Sequence, residues 1–122
     1  MNAVRLSVVV PVYNEAGVLK ELVERCLKSA EEAAGASFEL LVVDDASDDR
    51  TPEVLRELSN PRLRVVRLEQ NSGQYRATCA GLKAAAGEWI AVLDGDLQDP
   101  PELIPKLFAA ARESACVFAV KT

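Results

Sequence analysis

The run from Leu6 to Val12 is almost entirely apolar, where a strand with one wet face would alternate apolar and polar residues. A strand reads this way when both its faces are covered, which places it at the centre of a parallel sheet sandwiched between helices. The rest of the chain agrees, because short β-branched runs alternate with longer amphipathic ones in the pattern of successive β-α units. The expected fold is therefore α/β: a three-layer, mostly parallel, Rossmann-like sheet of about five strands. At 122 residues, 49% hydrophobic and 27% charged, the chain can bury one core and not two, so residues 1–122 read as a single domain.

Asn14 is expected to cap a helix from Ala16 to Ala34, in which Val18, Leu19, Leu22, Val23, Cys26, Leu27 and Ala30 recur at helical spacing and Gly35 is the stop. Phe38 to Val43 reads as the second strand. Thr51, Pro52 and Glu53 supply the cap, first helical position and acidic first turn of a helix ending near Leu58. Leu63 to Leu68 is the third strand. Ser72 or Gly73 opens a helix through Ala86 that Gly87 closes, and Trp89 to Leu93 is the fourth strand. Asp99 and Glu102 read as a capping box for a helix from Pro100 to about Arg112, followed by a last strand, Cys116 to Val120.

Charge and composition remove whole classes of function. With 14 basic against 19 acidic side chains the net charge is −5, and no basic stripe offsets it, so nucleic acid and anionic membrane are not expected partners. Histidine is absent. That excludes Ser-His-Asp and Cys-His nucleophiles and His-based zinc sites, and leaves any metal to oxygen or sulfur ligands. Cys26, Cys79 and Cys116 are widely separated in apolar stretches, as expected of buried reduced thiols in a reducing compartment. No apolar run approaches the ~20 residues of a membrane span, and Met1-Asn2-Ala3 does not lead into a signal peptide, so the expected location is cytoplasmic.

In an open parallel sheet, ligands bind beyond the carboxyl ends of the strands. Those positions are unusually polar here: Tyr13-Asn14-Glu15 after the first strand, Asp44-Asp45-Ala46-Ser47-Asp48-Asp49 after the second, Asn71 to Arg76 after the third, and Asp94 to Asp99 after the fourth. Asp94 and Asp96, one residue apart on a loop kept small by Gly95, can hold a hard divalent cation that also takes phosphate oxygens, with Gln98 as a neutral oxygen ligand. Two carboxylates so close are costly to ionise together without a cation. Asp99 is assigned to capping. Asp44 and Asp45 serve either the helix N-terminus behind them or a hydrogen-bond donor on a ligand, such as a base imide or amine. Tyr13 either stacks on a planar base or packs on its own sheet edge. Arg76, one turn behind Gly73, can meet phosphate oxygens at a helix N-terminus or stand exposed. Neither GxxxxGK[ST] nor GxGxxG occurs, so a bound nucleotide is held through a metal and scattered contacts, which favours a sugar nucleotide over ATP.

The segments Ser7 to Glu15, Val43 to Ser47 with Asp49 and Thr51, and Asn71 to Leu103 including LDGDLQDPPE together resemble the family 2 inverting glycosyltransferases, and within them the polyprenyl- and dolichol-phosphate sugar transferases. The resemblance implies a GT-A nucleotide-binding domain in which Pro11, Tyr13, Glu15 and Asp45 line the base and ribose of a UDP- or GDP-sugar. Asp94 and Asp96 take the DxD role, and Asp96 with Gln98 ligates Mg²⁺ or Mn²⁺ bridging the donor diphosphate. Gly95 stands where this branch more often has Ala, a change expected to leave the carboxylates in place. An acceptor phosphate on a polyprenyl lipid is already anionic and asks little of a general base, and none is assigned in this chain.

Such enzymes run to about twice this length and are often membrane-associated, so the likeness covers the donor half. A strand the family inserts between the fourth and fifth is missing, which is expected to bring Cys116 to Val120 beside the fourth strand or to leave an edge that pairs with another chain. Three other readings are weighed. A phosphorelay receiver would need its acidic pair after the first strand, where Tyr13-Asn14-Glu15 stands. A haloacid-dehalogenase-type phosphohydrolase would need its DxD on the first strand and Thr or Val at the place of Gln98. The remaining alternative is a non-catalytic domain that binds sugar nucleotide or only assembles.

Overall fold

The computed structural model describes residues 4–95 and 100–111. Along the chain run β1 (Leu6–Val12), α1 (Leu19–Ala34), β2 (Phe38–Asp44), α2 (Thr51–Glu57), β3 (Leu63–Arg67), α3 (Gln74–Ala84), β4 (Trp89–Val92), a 3₁₀ turn (Pro101–Leu103) and α4 (Ile104–Ala111). The described strands form one parallel sheet of four in the order β3-β2-β1-β4. The fifth strand expected at Cys116 to Val120 lies outside the described residues.

The central placement of β1 follows from its composition. All of its residues are buried, and it pairs with β2 on one side and β4 on the other, Val9 standing opposite both Leu41 and Val92. Its alternate side chains enter two different cores. Leu6, Val8, Val10 and Val12 join Leu19, Leu22, Val23 and Cys26 of α1, Leu55 of α2, and Ile104 and Phe108 of α4. Val9 joins Leu41, Val43 and Ala77 of α3 in a smaller core on the opposite face. The three expected layers are thus α1, α2 and α4, then the sheet, then α3. Gly81 lets α3 lie close to the strands, since a Cβ there would stand 2.4 Å from Val9 Cγ1.

The helix termini differ from the sequence reading in instructive ways. Asn14 does not cap α1: the helix starts at Leu19 after Val18, and Asn14 sits at φ 52° with its carboxamide turned to the neighbouring loop. Thr51 is the first residue of α2 rather than its cap, its amide held by Asp49 Oδ1 at 2.8 Å. α3 ends at Ala84, and Gly87 packs against β1 instead of closing the helix, donating to Ser7 Oγ at 2.8 Å. Glu102 is drawn away from capping by Arg25 of α1, with which it forms a two-pronged ion pair; Asp99, its expected partner, lies outside the described residues.

At the amino ends of the strands, Glu39 is buried and accepts hydrogen bonds from Ser7 Oγ (2.6 Å), Arg64 Nη1 (2.6 Å) and Ala86 N (2.7 Å). Burial alone would raise its pKa. The bonds from Ala86, Ser7 and Arg64 outweigh that and hold the carboxyl below its ordinary value. This network ties β1, β2, β3 and the α3-β4 connection together at the end remote from the polar rim.

Candidate functional site

The carboxyl ends of β1 and β4 border a cavity of about 310 Å³ lined by Pro11, Val12, Tyr13, Glu15, Asp45, Gln74, Ala77, Asp94 and Gly95. Of the residues singled out from the sequence, Pro11, Tyr13, Glu15, Asp45 and Asp94 are therefore brought together. Three of these are carboxylates, and among the described residues the lining carries no basic side chain.

Two loops are stitched to make this rim. Asn14 Oδ1 accepts from the amides of Asp48 (3.0 Å) and Asp49 (3.3 Å), while Ser47 Oγ accepts from Asn14 N (2.9 Å) and Thr51 Oγ1 from Glu15 N (3.1 Å). Asp49 adds a bond from Ala16 N at 3.3 Å. Its slight burial raises its pKa, and the bonds from Thr51 and Ala16 lower it further than that, leaving the carboxyl below the usual range. The polar cluster after β2 thus spends Ser47, Asp49 and Thr51 on fixing the turn that presents Tyr13 and Glu15. Tyr13 is 42% exposed, so its ring offers a face to solvent and to the cavity mouth.

Asp44 and Asp45 part company because successive strand residues point to opposite faces. Asp44, grouped with the substrate-binding residues from the sequence, is absent from the cavity lining. It is 1% exposed, paired with Arg67 and accepting from Ser47 N at 3.0 Å. Asp45 is 3% exposed and accepts three bonds from the segment that opens α3: Ser72 N at 2.8 Å, Gly73 N at 2.9 Å and Asn71 Nδ2 at 3.1 Å. Gly73, at φ 92°, takes its place as the residue before α3 and is held by Asp45 rather than lining the cavity. Arg76 is exposed and also outside the lining.

Gly95 and Gln74 carry roles that the sequence reading missed. A Cβ on Gly95 would stand 2.7 Å from the Pro11 carbonyl oxygen and 2.8 Å from Val12 Cγ1, so the loop after β4 lies directly on the end of β1. Alanine at this position would need the end of β1 or the loop itself to shift. Gln74 donates from Nε2 to Asp94 Oδ1 at 2.5 Å. Its position, first in a helix that opens on the rim, was a signal available in the sequence.

Among the described residues, no three carboxylates or thiols are grouped to hold a metal ion by themselves. Asp96 and Gln98 lie outside the described residues. The donor chemistry fits a hard divalent cation: Asp94 offers carboxylate oxygen at the cavity, and the described lining holds three carboxylates and no basic group, so an anion could enter it only with a counter-charge. No helix among the described residues is long and apolar enough to cross a membrane.

Residues 7–121 match the model of the family described as Glycosyl transferase family 2. The chain is 43% identical, over 98% of its length, to an uncharacterized glycosyltransferase, YkcC, of Bacillus subtilis (strain 168), of which it spans 38%. It is 46% identical, over 87% of its length, to an undecaprenyl-phosphate 4-deoxy-4-formamido-L-arabinose transferase of Edwardsiella ictaluri (strain 93-146), of which it spans 33%. Among solved structures it is similar to residues 1–349 of TarS from S. aureus, with TM-score 0.72, 31% identity and 91% of this chain covered against 33% of that one. It is also similar to the mannosyltransferase PcManGT from Pyrobaculum calidifontis, a complex with GDP-Man and Mn²⁺, with TM-score 0.67, 31% identity and 75% of this chain against 27% of that one.

Proposed function

The chain belongs to glycosyl transferase family 2, and on that premise we propose that it forms the donor-binding part of an enzyme that transfers a sugar, with inversion, from a nucleoside diphosphate. The observation that carries this reading is the acid-lined cavity where β1, β4 and the start of α3 meet. Its position beyond the strand ends is where open parallel sheets take nucleotides.

Each lining group has a task in this reading. Tyr13, half-exposed at the cavity mouth, stacks on the base, with Pro11 as the adjoining apolar wall. Asp45, which accepts from Ser72 N on one oxygen and from Gly73 N and Asn71 Nδ2 on the other, keeps one of its roughly four acceptor sites for a base or ribose donor. Glu15 adjoins the ribose. Asp94, Asp96 and Gln98 hold Mg²⁺ or Mn²⁺, whose chemistry is to neutralise charge on the departing diphosphate. A bound donor complex of the related mannosyltransferase with Mn²⁺ supports a divalent cation, and related structures with UDP-GlcNAc and with GDP-Man support either nucleoside. The undecaprenyl-phosphate transferases among the relatives support a lipid-phosphate acceptor, whose anionic oxygen needs no strong base to attack the anomeric carbon.

Calorimetric titration with UDP and with GDP, in Mn²⁺ and again in EDTA, tests base, metal and donor site together. Metal-dependent binding that prefers one base is expected. Absence of binding by folded protein would leave a non-catalytic domain of glycosyltransferase ancestry as the surviving reading.

A further inference from the structure

A continuous hydrogen-bonded bridge crosses the cavity floor. Asp45, at the end of β2, fixes the amides of Ser72 and Gly73; Gly73 opens α3; and Gln74, the first residue of α3, reaches Asp94 Oδ1 at the end of β4. In the sheet order β3-β2-β1-β4 these two acids stand on either side of β1, whose Pro11 and Val12 lie between them in the cavity wall. Gln74 is the only link in this bridge made by a long exposed side chain, and nothing in the packing of α3 demands it: the helix buries Ala77 and Gly81 instead.

We infer that Gln74 is a positioning residue for Asp94, resting on the donor-site reading above: its amide engages one carboxylate oxygen and so aims the other at the cation. The amide must present Nε2, because Oε1 against a carboxylate oxygen would repel. With Oδ1 engaged by Gln74, Asp94 Oδ2 has no hydrogen-bond partner among the described residues and stays available to a metal, and orienting a ligating carboxylate in this way is what an outer partner contributes. The same contact ties metal geometry to α3 and, through Asp45, to the side of the cavity that takes the base. It therefore couples nucleotide seating to cation binding.

The test uses Gln74→Met, which keeps length and removes the donor, with Gln74→Ala beside it. Mn²⁺ is titrated into the chain with UDP or GDP present and free Mn²⁺ is followed by electron paramagnetic resonance. The expected result is a 10–100-fold loss of Mn²⁺ affinity in both variants, with the metal-free melting temperature unchanged because Gln74 is exposed. Equal Mn²⁺ affinity in wild type and variants overturns the inference and leaves the donor-site reading intact. An equal loss of nucleotide affinity in Mn²⁺ and in EDTA also overturns it, since Gln74 would then act on the nucleotide directly. Wild type that binds neither Mn²⁺ nor nucleotide overturns the donor-site reading itself, and the inference with it.

Discussion

Arg67 Nη1 lies 2.5 Å from Asp44 Oδ2, and the two residues are register partners across β2 and β3. The second guanidinium nitrogen of Arg67 donates to Ser47 O at 3.2 Å, while Ser47 N donates to Asp44 Oδ1 at 3.0 Å. Arg67 thereby closes a ring around the start of the β2-α2 loop, the same loop whose Ser47 and Asp49 hold the turn after β1.

Arg67→Ala should destabilise the chain by about 1–3 kcal/mol, because it strips a buried carboxylate of its charged partner. The lower part of the range is expected, since Arg67 itself is half exposed. Denaturant unfolding gives the number. A loss below about 0.5 kcal/mol would mean the ring is dispensable and Asp44 is held by Ser47 alone.

Ala46 occupies φ 59° between the two halves of this arrangement, one of two non-glycine residues among those described with positive φ. A Cβ in that region costs about 1–2 kcal/mol. Ala46→Gly should therefore raise stability by up to about 1 kcal/mol, the relief being partly cancelled by the extra freedom of glycine in the unfolded chain. Its nucleotide affinity should be unchanged, because the carboxylate of Asp45 stays fixed by residues 71 to 73. A destabilised variant would show that the loop does not hold this conformation.

Much of this was legible because strong patterns were not overruled by tertiary contacts. β1 emerges with the expected bounds, since a fully apolar run has one good place in a parallel sheet. Of the two residues expected to open α3, Ser72 or Gly73, it is Gly73 that precedes it. The readings that failed concern short polar side chains with two available partners. Asn14, Thr51 and Glu102 all look like local caps, yet each is claimed by a group distant in sequence: the amides of Asp48 and Asp49, the amide of Glu15, and Arg25. Asp44 and Asp45 could have been separated by carrying the strand's alternation two residues further, since Val42 and Val43 already belong to different cores. The closeness of Gly95 to Pro11 had no such signal, because it depends on how two loops meet in space.

Glu39 makes stability depend on acid. Its pKa is lowered on folding, so its contribution is fully present above the unfolded value of about 4.3 and is lost as pH falls through the folded value. Unfolding followed from pH 7 to pH 3 should show a fall in stability that Glu39→Gln reduces. At pH 7 the variant should itself be less stable by about 1–3 kcal/mol, its amide being a poor match for three donors. Parallel pH profiles for wild type and variant would assign the acid sensitivity to other carboxylates.

The decisive substitutions are in the acidic pair after β4. If Asp94 and Asp96 hold the cation, Asp96→Ala should abolish metal-dependent nucleotide binding, and Asp94→Asn should weaken it by at least about 100-fold, more than losing an outer-sphere partner costs. Neither change should disturb the hydrophobic cores: Asp94 is only partly buried and belongs to neither. The discriminating comparison is Asp44→Asn, which removes a carboxylate of the same rim sequence outside the cavity lining. That variant should lose stability and keep Mn²⁺-dependent affinity, whereas the Asp94 and Asp96 variants should do the reverse. Calorimetry and thermal melting on the three proteins measure both quantities, and unchanged nucleotide affinity in Asp96→Ala would remove the acidic pair from the donor site.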